Sequence, residues 1–264
     1  MDISVARPQR FDIGDVVSGT FGLIRRNAVI FLLLGLLLTV LPTLLYTWAA
    51  LHATNWMTMA IKGYAPPRWY WILSSLALNI AAYLLQQAAM VRVAMADLDG
   101  RRSSIGECLS GSLRFILPLL VVGISFWIIF SIAFLLLIVP ALIFAASYSL
   151  AVPVTVIERV GVSKAFSRSA ALTRGHLWSI FALFVVFFIA FYVVEIALAG
   201  LFRGFGVFHP RGINTPATFT FIIISPLIQM VSNVISQAGL VTIYNHLRAI
   251  KEGIVPQSVA SVFD

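Results

Sequence analysis

The sequence predicts an all-α polytopic membrane protein with six transmembrane helices, built from three repeats of a cytoplasmic amphipathic helix followed by a transmembrane hairpin. Three observations carry this prediction. First, 60% of residues are hydrophobic and only 11% are charged, with a mean hydropathy of +0.98, far too apolar for a water-soluble domain. Second, six apolar runs are each long enough to cross a hydrocarbon layer of about 30 Å at 1.5 Å per helical residue. Third, an eight-residue phrase recurs at Ile13 to Thr20, Ile105 to Ser112 and Val162 to Ser169. In each copy the first, fourth and fifth positions are apolar, and basic residues and a long apolar run follow. That pattern describes a short amphipathic helix introducing a span.

Residues 1–10 are expected to form a flexible tail, 11–253 a single membrane domain and 254–264 a second flexible tail. The interfacial helices are predicted over 11–26, 103–114 and 160–174. The spans are predicted over Ala28 to Ala50, Trp69 to Val91, Phe115 to Val139, Ala141 to Ile157, Leu177 to Phe202 and Ala217 to Asn245. Phe115 to Ile157 contains no Asp, Glu, Lys or Arg and holds two spans, with Val139-Pro140 as the expected turn of a tight hairpin. The serines at Ser103-Ser104 and from Ser163 to Ser169 are read as helix starts, where hydroxyls cap free backbone N–H groups. Gly175 would let the chain turn from the third interfacial helix into the fifth span. The three short helices are expected to form a collar with Val16, Val17, Phe21, Leu109, Leu113 and Phe166 on their buried faces.

Basic residues are retained on the cytoplasmic side of a membrane. With the N-terminus inside, that side carries all 18 Lys and Arg residues except Lys62, Arg68, Arg203 and Arg211. Both termini and all three amphipathic phrases are therefore predicted to be cytoplasmic, in a bacterial inner (cytoplasmic) membrane. The net charge of +8 is spread over short juxtamembrane segments with no aromatic interleaving, so anionic lipid headgroups are the expected counterions rather than nucleic acid. Arg25, Arg26, Arg101, Arg102, Arg168 and Arg174 are the candidate headgroup-facing residues. The first apolar run follows 27 mixed residues and is long enough to anchor, so no cleavable signal peptide is expected. The single cysteine, Cys108, is read as a reduced, small apolar residue on the second amphipathic phrase.

A second internal echo appears at a shift of 150 residues, where Ser75 matches Ser225, Gln87 matches Gln237 and Val91 matches Val241. Spans two and six each carry a polar stripe at steps of three or four. Asn79, Tyr83, Gln86 and Gln87 lie on one, and Gln229, Asn233 and Gln237 on the other. Amides facing lipid would be costly, so both stripes are expected to face the bundle. There they either bond neighbouring helices or line a lipid or solute cavity between the two spans. Glu195, the one acidic residue well inside an apolar run, is a further candidate for that site. Pro226, within the sixth stripe, is a possible helix break.

No catalytic scheme emerges. His52, His176, His209 and His246 are scattered, and there is no Gly-rich phosphate loop, no His-Glu-x-x-His and no Gly-x-Ser-x-Gly. Neither a cofactor nor a metal is expected.

The segment Pro153-Val154-Thr155-Val156-Ile157-Glu158, with Gly161, Ala165-Phe166-Ser167-Arg168-Ser169 and Leu172-Thr173-Arg174-Gly175, resembles the signature of the glycerophosphoryl diester phosphodiesterase membrane-domain family and the related YciC-like bacterial membrane proteins. Tyr244-Asn245-His246-Leu247-Arg248 to Lys251-Glu252-Gly253 is similar to that family's C-terminal close. The resemblance implies a multi-span inner-membrane domain. Some relatives fuse such a domain to a soluble phosphodiesterase barrel; these residues hold no such barrel, so no hydrolase activity or catalytic residue is implied. The leading functional expectation is a non-enzymatic integral membrane protein that binds or organises lipid or a partner membrane protein. The alternatives are a small transporter or lipid-translocating protein using spans two and six with Glu195, and, more remotely, an intramembrane hydrolase of glycerophospholipids.

Overall fold

The structure is a computed structural model that describes residues 11–48, 69–101, 104–204 and 216–252. These residues are helical with no strands among them, and six helices are long and apolar enough to cross a membrane. The elements are α1 (Ile13–Arg26), α2 (Ala28–Trp48), α3 (Trp69–Leu98), α4 (Ile105–Ser112), α5 (Ile116–Leu136), α6 (Ile138–Tyr148), α7 (Ala151–Glu158), α8 (Val162–Thr173), α9 (Leu177–Gly204) and α10 (Pro216–Glu252).

The short helices begin where local chemistry lets them. Asp12 caps α1 by accepting the Gly14 N–H at 2.7 Å. Ser104 and Glu107 form a reciprocal capping box at α4, each side chain accepting the other's backbone N–H. The α4 phrase then continues through a 3₁₀ turn, Leu113–Phe115, directly into α5. By contrast, α1 is set off from α2 at Asn27, and α8 from α9 by Gly175, whose φ of +94° only glycine adopts without strain.

Two spans are interrupted. In α2 the stretch Leu36–Val40 is a π-helix, with the Leu41 N–H bonded to the Leu36 carbonyl. Pro42 follows at once; its ring excludes the carbonyl four residues back, and the wider π turn accommodates it. The fourth span is two helices, α6 and α7, separated at Ser149 and Leu150. Here α8 supplies what the break removes. The Ser169 hydroxyl accepts the Leu150 N–H at 3.2 Å and donates to the Ser147 carbonyl at 2.9 Å, and the Thr173 hydroxyl donates to that carbonyl at 3.1 Å. Both residues are fully buried. Ser169 is thus an internal cap for the broken span rather than a start for its own helix, and the N-cap of α8 is Gly161.

Several limits move. The hairpin turn lies at Leu137, in extended conformation, rather than at Val139-Pro140; Pro140 sits in the first turn of α6, where no N–H is needed. Helices α3 and α10 each run seven residues past the predicted ends of their spans, because helical hydrogen bonding does not stop where apolarity does. The last helix passes Pro226 without interruption.

Two apolar clusters meet at α10. One joins α2, α3, α4 and α5 to Val234, Ala238 and Val241; the other joins α1, α6, α7, α8 and α9 to Ile243, Tyr244 and Leu247. Close approach depends on glycine: a Cβ on Gly35 would fall 2.4 Å from Met230 Cγ, and one on Gly19 3.0 Å from Thr242 Cγ2. Val16 is fully buried, and Val17, Leu109 and Phe166 are half-buried as the collar requires. Phe21 and Leu113 face outward at 53% and 57% exposure. This corrects the predicted collar faces, since neither residue packs within the bundle.

Candidate functional site

At the end of the bundle that carries the short helices, a cavity of about 520 Å³ opens between α3, α4 and α7. Its inner wall is apolar, with Val91, Met95, Val156 and Ile157; its polar groups are Arg92, Asp99, Arg101, Glu107 and Arg159, and Ala96 and Cys108 complete the lining. The charges do not balance. Arg101 pairs with Asp99 at 2.8 Å, Glu107 makes a 3.4 Å contact with the Ser104 N–H, and three arginines against two carboxylates leave the lining positive. Arg92 and Arg159 have no acidic partner among the described residues.

Each of these two arginines is held at a cost. The Arg92 guanidinium lies so close to Gly111 that a Cβ there would come within 2.4 Å of Nη2. Its nearest acceptor is the Gly111 carbonyl at 3.4 Å, a weak bond, and its buried Nε has no partner. Arg159 ends α7 in the left-handed conformation at φ +54°, the only non-glycine residue with positive φ among the described residues. That conformation costs an L-residue about 1–2 kcal/mol, and glycine is the usual occupant of such a helix end. Arg159 thus places an exposed, unpaired cation on a strained backbone beside the cavity.

A second polar cluster ties the same end together. Glu158 accepts two bonds from Arg168 Nε, at 3.0 and 3.2 Å, and one from the Tyr244 hydroxyl at 3.0 Å. Arg168 also bonds Glu252, which accepts from Arg248 Nε at 2.8 Å. Lys251 donates to the Arg174 carbonyl at 2.9 Å. Residues 153–175 and 244–252, within the segments that carry the family resemblance, therefore meet in one network that locks α7, α8 and α10.

The residues expected to form sites are distributed as follows. Arg168, expected to face headgroups, bonds the Glu158 and Glu252 carboxylates while 33% of its side chain stays exposed. Arg26 is exposed and pairs with Asp97 at 2.8 Å. Arg25 and Arg174 are exposed, Arg101 lines the cavity, and Arg102 lies outside the described residues. In the α3 stripe, Asn79 donates to the Thr43 hydroxyl at 3.2 Å and buried Gln86 accepts from the Thr39 hydroxyl, so these amides bond to α2. Gln87 is buried, whereas Tyr83 is 42% exposed. On α10, Gln229 faces outward and Asn233 is half-buried; buried Gln237 Oε1 and Asn233 Nδ2 have no hydrogen-bond partner. The two stripes therefore do not each present one inward face. Glu195 lies on α9, but its side chain falls outside the described residues.

Sequence reading missed Arg92 and Arg159. Arg92 counted only as a charge marking the end of a span, and nothing local announces that Arg159 adopts positive φ.

No curated protein and no solved structure matches the chain. A family model does match over residues 70–247, a stretch reaching from α3 into the last turns of α10. On that match, which covers well over half of its length, the chain belongs to the family described as a domain of unknown function, DUF7847.

Proposed function

We propose that this chain is a non-enzymatic integral membrane protein of the bacterial inner membrane that binds or organises lipid at its basic end, with both termini and the three short helices on the cytoplasmic side. The observation that carries this reading is the cavity bearing two arginines without acidic partners beside an apolar wall. Cationic groups over apolar surface suit the level of a bilayer where anionic headgroups lie. The bias of basic residues toward one end supports the orientation. A short helix before each pair of spans supports an origin in three repeats.

The test is native mass spectrometry of full-length protein gently extracted from membranes, with identification of whatever it retains. A defined phospholipid at fixed stoichiometry is expected. Bare protein, or bulk lipid in loose proportion, refutes the reading and turns the search to membrane-protein partners.

A second reading is a small transporter. It is favoured by the unpartnered Asn233 and Gln237 atoms on α10 and by the interrupted helices α2 and α6–α7, since discontinuous spans surround the sites of many transporters. It predicts solute- or proton-dependent uptake into liposomes that Glu195→Gln impairs; flux unaffected by that change removes Glu195 from the mechanism.

A further inference from the structure

We propose that the cavity between α3, α4 and α7 is a phosphate site for one membrane lipid, with Arg92 and Arg159 holding the headgroup phosphate and the glycerol end of the lipid lying against Met95, Val156 and Ile157. This rests on the lipid-binding reading and deepens it.

Charge defines the ligand's chemistry. With Arg101 paired to Asp99 and no carboxylate among the described residues within ion-pair distance of Arg92 or Arg159, three arginines face two carboxylates, and this positive surplus calls for an anion with several acceptor oxygens. The guanidinium fork matches phosphate geometry. A carboxylate offers two oxygens, whereas a phosphate offers enough to meet arginines arriving from two different helices.

Position defines the source. Arg92 is six residues from the end of α3, about 9 Å at 1.5 Å per residue, and so lies below the helix end rather than at its tip. The adjoining wall is apolar. A free phosphate ion gains nothing from such a wall, while a lipid buries its glycerol and first methylenes there. The volume of about 520 Å³ is ample for a headgroup and glycerol and far below that of a whole two-chain lipid, so the acyl chains would leave toward the bilayer.

Arg159 provides a clean test because the backbone favours its removal. Arg159→Gly relieves the left-handed strain and should leave thermal stability unchanged or raised. Loss of one charge-assisted bond should weaken phosphate binding about tenfold or more. The reporter is a thiol introduced by Ala96→Cys on the half-buried cavity wall of every chain compared, because native Cys108 is only 2% exposed. Its reaction with a small methanethiosulfonate reagent is followed in the detergent-solubilised full chain with added dioctanoyl phosphatidic acid, dioctanoylglycerol or inorganic phosphate.

Phosphatidic acid is expected to slow the reaction, and Arg159→Gly and Arg92→Gln to require about tenfold more lipid for the same slowing. Equal protection by dioctanoylglycerol overturns the phosphate assignment. Equal protection by inorganic phosphate at similar concentration overturns the lipid assignment. Unchanged protection in both variants overturns the site. The two readings fail separately: wild type and Arg159→Gly retaining the same lipid in native mass spectrometry leaves lipid binding standing and removes this cavity, whereas wild type retaining no lipid removes both.

Discussion

Replacing the two hydroxyls that α8 inserts into the broken fourth span should reveal a coupling that neither substitution shows alone. Ser169→Ala removes the acceptor of the Leu150 N–H, a group buried where water does not reach. An orphaned buried donor costs about 1–3 kcal/mol. Thr173→Val removes a hydroxyl whose one proton is shared between the Ser147 carbonyl and the Ser169 and Ala170 carbonyls of its own helix. The Ser169 hydroxyl still donates to Ser147, so the cost is about 0.5–1 kcal/mol, one ordinary hydrogen bond. In the double variant neither hydroxyl reaches Ser147, and a second, half-buried backbone group loses both of these donors. The total should exceed the sum of the singles by about 1 kcal/mol or more.

The assay is thermal unfolding in detergent, read by a bulky thiol-reactive dye. Cys108 is 2% exposed and unreactive to such a dye until the bundle opens. Each kcal/mol should lower the midpoint by roughly 2–4 °C. Strict additivity, or a Ser169→Ala variant as stable as wild type, would refute the idea that α8 satisfies the break.

Gly35→Ala should destabilise by about 1–3 kcal/mol through overpacking against Met230, and Met230→Ala in the same chain should recover much of that loss; no rescue would mean that the close approach is not the cause. Gln237→Met should be neutral or stabilising in thermal unfolding, because the amide oxygen it removes is buried without a partner; a loss above about 1 kcal/mol would place a bound water or ligand at that oxygen. Arg168→Met should cost about 2–4 kcal/mol by leaving Glu158 and Glu252 half-buried with fewer donors. Arg26→Met, which breaks a single pair made by an arginine 55% exposed, should cost about 1 kcal/mol. Equal losses in these two arginine variants would contradict the difference in arginine exposure and in the number of carboxylates each one serves.

Element type was readable where one residue property repeats along the chain. Apolar runs must be helical, since a backbone in hydrocarbon satisfies its own hydrogen bonds only that way, and this located all six long helices. The cap at Ser104 was readable because it acts within a few residues. The left-handed turn at Gly175 was readable for the same reason. The break at Ser149-Leu150 was not, because its stability depends on hydroxyls some 20 residues further along the chain. The amide stripes were correctly located on α3 and α10, but their partners were not: Gln86 and Asn79 meet Thr39 and Thr43 of α2, and helical periodicity names a face without naming what that face meets.

Composition and hydropathy by themselves determined that this chain is helical, with six helices long and apolar enough to cross a membrane, because solvent preference is a property of each residue summed over a run. Tertiary structure alone decided which charges are spent and which are free. Arg168 is neutralised by carboxylates from α7 and α10, while Arg92 and Arg159, separated by 67 positions in the chain, come to one cavity without an acidic partner. Pairing depends on distance in space, and at the short-helix end that distance is set by how α3, α4 and α7 pack together.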